Sequence, residues 1–248
     1  MQRIIGIVGL AHCGSTALSR LAACLPEVAS AGEIHWLIDA TGKNREKKLC
    51  TVCRSRCPVF SKNFLKKKFP VKRLYSAVAN QFGKEILFSS DKSTRNYDRF
   101  VPVNTLEAII LYKRPVSQAF SLRRVMSLRD GVTAWRNFHL KALGWAEMYA
   151  KSTTIISLEA FMAHPQRNLR ILADRLSLET PKNIPNLKNI PYHHINGNHR
   201  AHSSKKIFVD QKWRKRVPEN FIKKVQRERP VRSLLNYLDA ESRRILCP

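Results

Sequence analysis

The segment from Gly9 to Thr16 has the spacing of a phosphate-binding loop. It follows an apolar run, Ile4–Val8, and precedes a helical pattern, so backbone N–H groups and the helix N-terminus would point at a phosphate. The spacing matches Gly-x4-Gly-Lys-[Ser/Thr], except that Ser15 stands in the lysine position. Because that lysine reaches the β- and γ-phosphates of ATP, the loop favours a single phosphate. An ordinary strand–turn–helix connection is the alternative interpretation.

The basic segment 42–73 contains three closely spaced cysteines: Cys50, Cys53 and Cys57. Three thiolates at this spacing could occupy three corners of a tetrahedral zinc site. The fourth ligand would have to come from elsewhere, for example from His35 or Cys24. Free thiols packed under a loop, or one disulfide, are the alternatives. Zinc is therefore a hypothesis here, and no catalytic role is predicted for it.

The apolar pattern alternates between short strands and amphipathic helices. Four runs are short enough for buried strands of a parallel sheet: Ile4–Val8, Ile86–Phe88, Ala108–Leu111 and Thr154–Ser157. Helical faces with three- and four-residue spacing begin at Leu18, Trp135 and Leu169. The alternation predicts one three-layer α/β domain over residues 1–248, with helices on both faces of a central parallel sheet, as in P-loop NTPases. Ligands of such sheets bind beyond the carboxyl ends of the strands.

The chain is strongly basic, with 45 Lys and Arg against 18 Asp and Glu and a formal charge of +27. Such a charge attracts anions, which include nucleic acid, a membrane surface, or a nucleotide donor together with an acidic glycan. Positive charge is dense in residues 42–73 and again at about 200–230, while residues 181–216 are rich in Pro, Asn and His. Because basic residues are spread over most of the chain with few interleaved aromatics, nucleic acid is not the expected partner.

Hydropathy and cysteine usage predict where the protein works. No apolar run approaches the roughly 20 residues needed to cross a bilayer, so only peripheral membrane contact is compatible with the sequence. The six cysteines do not follow the spacing of a known disulfide scaffold. Both observations favour a soluble protein in the reducing cytoplasm.

The loop resembles the 5′-phosphosulfate loop of the sulfotransferase family, in its bacterial and carbohydrate-type branch. The resemblance implies that the donor is 3′-phosphoadenosine 5′-phosphosulfate. It also implies that five loop residues hold the 5′-phosphosulfate: Cys13, Gly14, Ser15, Thr16 and Ala17. The family usually has Lys or Arg two positions before Gly-Ser-Thr, where this chain has His12. His12 is therefore a candidate for neutralising the transferring sulfonate.

A second motif, Lys113-Arg114-Pro115 followed by Ser121, resembles the family's site for the 3′-phosphate. In the family an Arg-x-Pro is followed by Ser eight residues after the Arg, and Lys113 and Ser121 occupy these two positions. A cation at a strand end and a hydroxyl on the first turns of a helix can converge on one phosphate. Since lysine lacks the bidentate fork of arginine, Arg114 could contribute instead.

Two segments are similar to the family's catalytic motifs. Asp91–Thr94 resembles an Asp-Lys-Thr-Pro signature, which implies that Lys92 neutralises charge on the leaving phosphate. Gly32-Glu33 resembles a Gly-Glu segment in which the glutamate is the general base, and a hydroxyl at neutral pH needs such a base. His35 is the alternative base, ranked below Glu33 because isolated histidines are more often structural.

The stretch from His194 to Arg214 is similar to a late segment of bacterial sulfotransferases. The resemblance implies that Arg200 is a nucleotide ligand in a positively charged lid.

These motifs together predict a sulfotransferase that moves a sulfonate to a hydroxyl acceptor by in-line displacement. The charge favours an anionic acceptor such as an acidic glycan, although a lipid, a metabolite or a peptide tyrosine fits the motifs equally. A P-loop kinase of a small molecule is one alternative, weakened by Ser15 in the lysine position. A basic protein that binds nucleic acid without catalysis is the other.

Overall fold

The computed structural model describes residues 3–39, 41, 46–182, 192–198, 202 and 209–247. Its strands are β1 Arg3–Val8, β2 Val28–Gly32, β3 Ile86–Lys92, β4 Leu106–Tyr112 and β5 Ser152–Ser157. They form one parallel sheet in the order β2-β3-β1-β4-β5. The α-helices of these residues are α1 Ser15–Ala22, α2 Trp36–Asp39, α3 Lys62–Lys66, α4 Leu74–Phe82, α5 Thr94–Phe100, α6 Pro115–Leu122, α7 Leu128–Tyr149, α8 Leu158–Ala163, α9 Pro165–Arg175, α10 Trp213–Arg216, α11 Glu219–Arg227 and α12 Arg229–Leu246.

The sheet is buried on both faces because its strands alternate apolar side chains between two cores. In β1, Ile4 and Val8 belong to one hydrophobic cluster, whereas Ile5 and Ile7 belong to the other. Helices α4, α5 and α7 pack on the first face, and α1, α8 and α9 pack on the second. Each fully buried isoleucine contributes about 1.5–3 kcal/mol. The predicted three-layer α/β architecture is therefore confirmed.

Strand β2 was not among the predicted strands, because its sequence Val-Ala-Ser-Ala-Gly lacks a β-branched run. All five of its residues are buried. Their small side chains let α1 approach closely, and the Ser30 hydroxyl donates to the Ser19 carbonyl at 2.7 Å. Strand β3 is also longer than predicted and ends at Lys92, which therefore lies in the last strand position and not beyond the strand.

Two C-terminal helices, α11 and α12, were not predicted either. Helix α12 lies along β5, where the Ser242 hydroxyl accepts a hydrogen bond from the Ser157 backbone N–H at 2.9 Å. Its Asp239 carboxylate accepts a 2.7 Å hydrogen bond from the Tyr112 hydroxyl. None of the described helices is both long enough and apolar enough to cross a membrane.

The strand order places the polar motifs at one edge of the sheet. Strand β1 is central, with β3 and β2 on one side of it and β4 and β5 on the other. Gly9 follows β1, Glu33 follows β2, Lys92 ends β3 and Lys113 follows β4. Because all five strands are parallel, these residues share the carboxyl edge, where α/β sheets bind ligands.

Candidate active site

The loop after β1 is a tight turn that leads into α1. The Cys13 N–H donates to the Leu10 carbonyl at 3.0 Å, and Gly14 adopts a left-handed conformation with φ 97°. A side chain at Gly14 would collide with Leu158, since an added Cβ would lie 2.5 Å from its Cδ2. Within the described chain, α1 begins without a side-chain cap or an acidic residue in its first turn. The positive end of its dipole therefore remains available to an anion.

Lys92 is tied to this loop by its backbone. Its carbonyl accepts a 3.1 Å hydrogen bond from the Gly9 N–H, and its φ of 63° is uncommon for a residue with a Cβ. The pairing register between β1 and β3 shifts at this point, where Val8 faces Lys92. Backbone strain of this kind is often found at functional sites. At Lys92 the strained backbone carries a side chain that points toward the end of β2.

The side chains of Lys92 and Glu33 form an ion pair. Glu33 is buried, and its second carboxylate oxygen accepts hydrogen bonds from Asn196 Nδ2 at 2.9 Å and from Trp36 Nε1 at 3.2 Å. The predicted base and the predicted sulfonate-binding cation thus meet, although 59 residues separate them in the sequence.

The surroundings of Glu33 lower its pKa below the usual 4.5. Burial is the largest single influence and by itself would raise the pKa. The positive charge of Lys92, together with the hydrogen bonds from Lys92, Asn196 and Trp36, outweighs burial. The carboxylate is therefore ionised at neutral pH and able to accept a proton.

Replacing Lys92 by Met is expected to raise the pKa of Glu33, since burial then acts without the neighbouring positive charge and only the hydrogen bonds from Asn196 and Trp36 still oppose it. NMR titration of carboxyl-labelled protein measures the shift. The depressed pKa stabilises the folded wild type above the usual carboxyl pKa, and this contribution is lost as the pH falls through the folded-state value. The stability difference between wild type and Lys92→Met should consequently shrink in acid. Lys141→Met, at an exposed position of α7, is the control, and an unchanged Glu33 pKa in Lys92→Met would contradict the prediction.

His35 lies beside Glu33 in sequence but is held by another carboxylate. Its Nδ1 lies 2.7 Å from Asp91 Oδ1, and the same oxygen accepts its backbone N–H at 3.1 Å. Asp91 is buried and also accepts hydrogen bonds from the hydroxyls of Tyr75 and Ser89. These contacts anchor the turn that carries Glu33 and hold the His35 ring against Asp91.

His12 projects from the loop near two lysines. Although solvent reaches its side chain, the surrounding protein partly excludes water from the ring, which lowers its pKa. The positive charges of Lys92 and Lys113 lower the pKa further below 6.5. His12 is therefore a neutral imidazole at neutral pH. It can donate a hydrogen bond to an anion, but it does not supply the charge of the Lys or Arg usual at this position.

The predicted 3′-phosphate pair meets at the start of α6. Lys113 Nζ donates to the Ser121 hydroxyl at 2.7 Å, and the Lys113 carbonyl accepts a 2.8 Å hydrogen bond from Trp135 Nε1. Lys113 is only 6% exposed, and burial lowers its pKa despite the longer-range influence of Glu159 and Asp210. Within the part of the chain that the structure describes, no carboxylate forms an ion pair with it. A buried ammonium group without a partner of opposite charge carries a desolvation cost.

Residues 192–198 complete the site beside β2. The Glu33 N–H donates to the Ile195 carbonyl and the Ile195 N–H donates to the Ala31 carbonyl, both at 2.9 Å. Gly32 permits this approach, because a Cβ there would lie 2.5 Å from the Ile195 oxygen and its φ is 86°. The Asn198 N–H then donates to the Thr16 hydroxyl at 3.1 Å. This segment connects the end of β2 to the phosphate loop.

Two sulfotransferase domains among the solved structures have the same architecture. The sulfotransferase domain from the curacin biosynthetic pathway superposes with a TM-score of 0.62 at 16% identity, over 96% of this chain and 98% of that domain. The sulfotransferase domain of the Synechococcus PCC 7002 olefin synthase gives a TM-score of 0.62 at 17% identity, over 96% of this chain and 94% of that domain. The chain has the sulfotransferase fold. No family model and no curated protein matches its sequence significantly.

The sulfotransferase fold brings most of the predicted site residues that the structure describes to one edge of the sheet, whereas Arg114 points to a different partner. The Arg114 guanidinium is half exposed and lies 3.6 Å from the Asp239 carboxylate. The Arg114 N–H donates to Glu159 Oε1 at 3.1 Å, which fixes the start of α6. Arg200 lies outside the described residues. Lys113 is thus the cation that the described chain presents beside Ser121.

Asn196 is a site residue that sequence reasoning did not single out. Its side-chain amide donates to Glu33, and its φ of 54° shows a turn that Asn tolerates well. The available signal was its place between His194 and Gly197, inside the stretch already noted for its similarity to bacterial sulfotransferases. A polar side chain in such a stretch is a candidate for contact with the site.

The three clustered cysteines converge with His193, a residue other than the two examples of a fourth ligand that the sequence suggested, His35 and Cys24. The ligand atoms of Cys50, Cys53, Cys57 and His193 all lie within 4.8 Å of one another. His35 is held by Asp91 instead, and Cys24 lies in the core on the opposite face of the sheet. The return of residues 192–198 beside β2 brings His193 to the thiols. No sequence spacing predicts this approach.

Proposed function

We propose that the chain is a sulfotransferase that moves a sulfonate from 3′-phosphoadenosine 5′-phosphosulfate to a hydroxyl acceptor. The contact between Glu33 and Lys92 carries the proposal, because it places a proton acceptor and a cation at the mouth of the phosphate loop. A hydroxyl acceptor needs a group that takes its proton, and the charge that develops on the leaving phosphate is stabilised by a cation.

The reaction assigns a separate task to each group. Glu33 takes the proton of the acceptor hydroxyl as the hydroxyl oxygen attacks the sulfur in line. The new S–O bond forms while the bond from sulfur to the 5′-phosphate oxygen breaks, and the electron pair stays on that phosphate. Lys92, the neutral His12 and the N–H groups at the start of α1 stabilise the charge that develops there. No metal takes part in this step.

The 3′-phosphate of the donor is assigned to Lys113 and Ser121. Burial of an ammonium group without a carboxylate partner is unfavourable unless an anion joins it. A dianionic phosphate would satisfy the charge of Lys113 and accept a hydrogen bond from the Ser121 hydroxyl. That hydroxyl now donates to the Ser117 carbonyl at 3.0 Å. Phosphate binding would therefore turn this hydrogen bond from the carbonyl to the phosphate.

The loop geometry argues against an ATP-dependent kinase. Ser15 replaces the lysine that would contact the β- and γ-phosphates. The Thr16 hydroxyl, which would hold magnesium in a P-loop NTPase, accepts the Asn198 N–H instead. Both features suit a donor that is used without a metal ion.

Calorimetric titration with adenosine 3′,5′-bisphosphate in the presence of a chelator tests the donor assignment. We expect micromolar or tighter binding without magnesium. Binding of ATP that requires magnesium, with no binding of the bisphosphate, would instead support the kinase. Tight binding of RNA with a steep salt dependence and no bisphosphate binding would support a nucleic-acid binder.

For the acceptor we propose an acidic saccharide, on the basis of the net charge of +27. Exposed basic side chains continue along one segment: Lys62, Lys66, Lys67, Lys68, Lys72 and Arg73. A screen with radiolabelled donor across acidic saccharides, lipids, small metabolites and tyrosine peptides identifies the class. The true acceptor is the one that the wild-type protein labels and Glu33→Gln does not. Transfer only to uncharged acceptors would overturn the saccharide assignment.

A further inference from the structure

A compact set of soft ligands lies beside the candidate active site, outside the proposed sulfonate chemistry. Cys50 and Cys57 are buried, and Cys53 and His193 are half-buried. The Nδ1 atom of His193 lies 3.3 Å from Cys53 Sγ and 3.4 Å from Cys57 Sγ. The four ligand atoms all fall within 4.8 Å of one another.

These separations are close to those of a tetrahedral zinc centre. With Zn–S near 2.3 Å and Zn–N near 2.0–2.1 Å, the edges of the tetrahedron measure about 3.6–3.8 Å. The two sulfur–nitrogen distances of 3.3 Å and 3.4 Å are already slightly shorter than this. No separation exceeds 4.8 Å, so forming the centre requires the ligand atoms to approach by at most about an ångström.

Two backbone N–H groups around the cluster point at its sulfur atoms. The Cys53 N–H points at Cys50 Sγ at 3.4 Å, and the Phe60 N–H points at Cys57 Sγ at 3.2 Å. Donors of this kind orient metal-bound sulfur and offset its negative charge. Between them, Arg54 has a φ of 54° and its N–H donates to the Cys50 carbonyl at 2.9 Å. The turn therefore gives two of its three sulfurs, those of Cys50 and Cys57, a backbone hydrogen-bond donor.

We propose that Cys50, Cys53, Cys57 and His193 bind one zinc ion as a structural site. Thiolate and imidazole ligands select zinc over the hard cations calcium and magnesium. Four protein ligands fill the tetrahedron and leave no position for a substrate, as in structural zinc sites. Binding releases the three thiol protons to solvent, and His193 coordinates through its neutral Nδ1.

Such an ion would fasten the cysteine turn to residues 192–198. The two segments already pair, since the Thr51 N–H donates to the His194 carbonyl at 2.7 Å and the Thr51 hydroxyl donates to the Asn196 carbonyl at 2.9 Å. Asn196 in turn donates to Glu33. The zinc ion would thus position the segment that orients the carboxylate. This consequence rests on the proposed sulfotransferase function, whereas zinc binding itself does not.

Elemental analysis of the untagged protein, purified without chelators, tests the site. We expect stoichiometric zinc in the wild type and its loss in Cys57→Ser. Cys24→Ser is the matched control, because Cys24 is also buried but lies in the other core, and it should retain zinc. Wild-type protein without stoichiometric zinc, or with a disulfide between two of the cluster cysteines in mass spectra, would overturn the proposal.

Expression in cobalt-supplemented medium gives a second readout on the intact wild type, in case Cys57→Ser does not fold. Tetrahedral cobalt bound to thiolates should produce intense visible absorption together with a sulfur-to-cobalt charge-transfer band. Cobalt bound without these bands would contradict the cysteine ligands.

Titration of the same preparations with adenosine 3′,5′-bisphosphate separates the two proposals. If the protein contains zinc but does not bind the bisphosphate, the zinc site stands and the proposed sulfotransferase function fails. If the protein binds the bisphosphate but contains no zinc, the zinc site fails and the proposed function stands. Removing zinc from active protein should increase amide exchange at residues 195–198 more than in β4, and equal protection would show that the ion does not hold this segment.

Discussion

Replacing Glu33 by Gln is expected to lower turnover by about 10²–10⁴-fold, the usual contribution of a general base. Glutamine has nearly the same shape but cannot take the acceptor proton. The substitution also removes the negative partner of Lys92, so affinity for adenosine 3′,5′-bisphosphate should be preserved or increased. Transfer of radiolabelled sulfonate and calorimetric titration measure the two quantities separately.

The control for this change is Glu85→Gln, which makes the same substitution at an exposed position just before β3. It should leave both turnover and affinity at wild-type values. If Glu33→Gln turned over as fast as Glu85→Gln, Glu33 would not be the base. His35→Gln would then be the next variant to measure.

Replacing Lys113 by Met should weaken binding of adenosine 3′,5′-bisphosphate by about 2–5 kcal/mol, the cost of removing one partner of a buried charge pair. At 1.36 kcal/mol per tenfold, this is roughly a thirty-fold to several-thousand-fold loss of affinity. The ligand-free protein should melt at a higher temperature, because a buried ammonium without a carboxylate partner among the described residues is replaced by an apolar chain of similar length. Calorimetry and thermal unfolding with and without ligand test both effects.

Lys141→Met removes the same charge from an exposed position and is the matched control. It should change affinity only slightly, through the overall field. A Lys113→Met protein that bound the bisphosphate as well as this control would show that the 3′-phosphate binds elsewhere. The opposite signs expected for ligand-free stability and for affinity exclude a general folding defect as the cause.

The sequence identifies the fold and the main polar motifs because both depend on short-range patterns. The apolar runs that begin at Ile4 and Ala108 are long and β-branched enough to indicate buried strands. Once these strands are parallel, residues that follow them must share one edge of the sheet. This is why Lys113 and the loop at Gly9 could be placed together from sequence alone.

Contacts between distant segments could not be predicted in the same way. The small residues of β2 carry no strand signal, so the position of Glu33 beside Lys92 depends on a strand that the pattern does not reveal. The approach of Asn196 and His193 depends on Gly32, whose missing Cβ makes room for the returning chain. The sequence shows that Gly32 is a glycine, but it does not show which distant segment packs against it.

The Glu33–Lys92 ion pair has a kinetic consequence under the proposed reaction. The ammonium group of Lys92 has two competing anionic partners, its own glutamate and the incoming donor. Donor binding that draws Lys92 away would leave the buried carboxylate more basic, since burial raises its pKa when the positive charge is gone. Part of the donor's binding energy would then be used to activate the base. The reaction would have a preferred order, in which the acceptor is deprotonated only after the donor is in place.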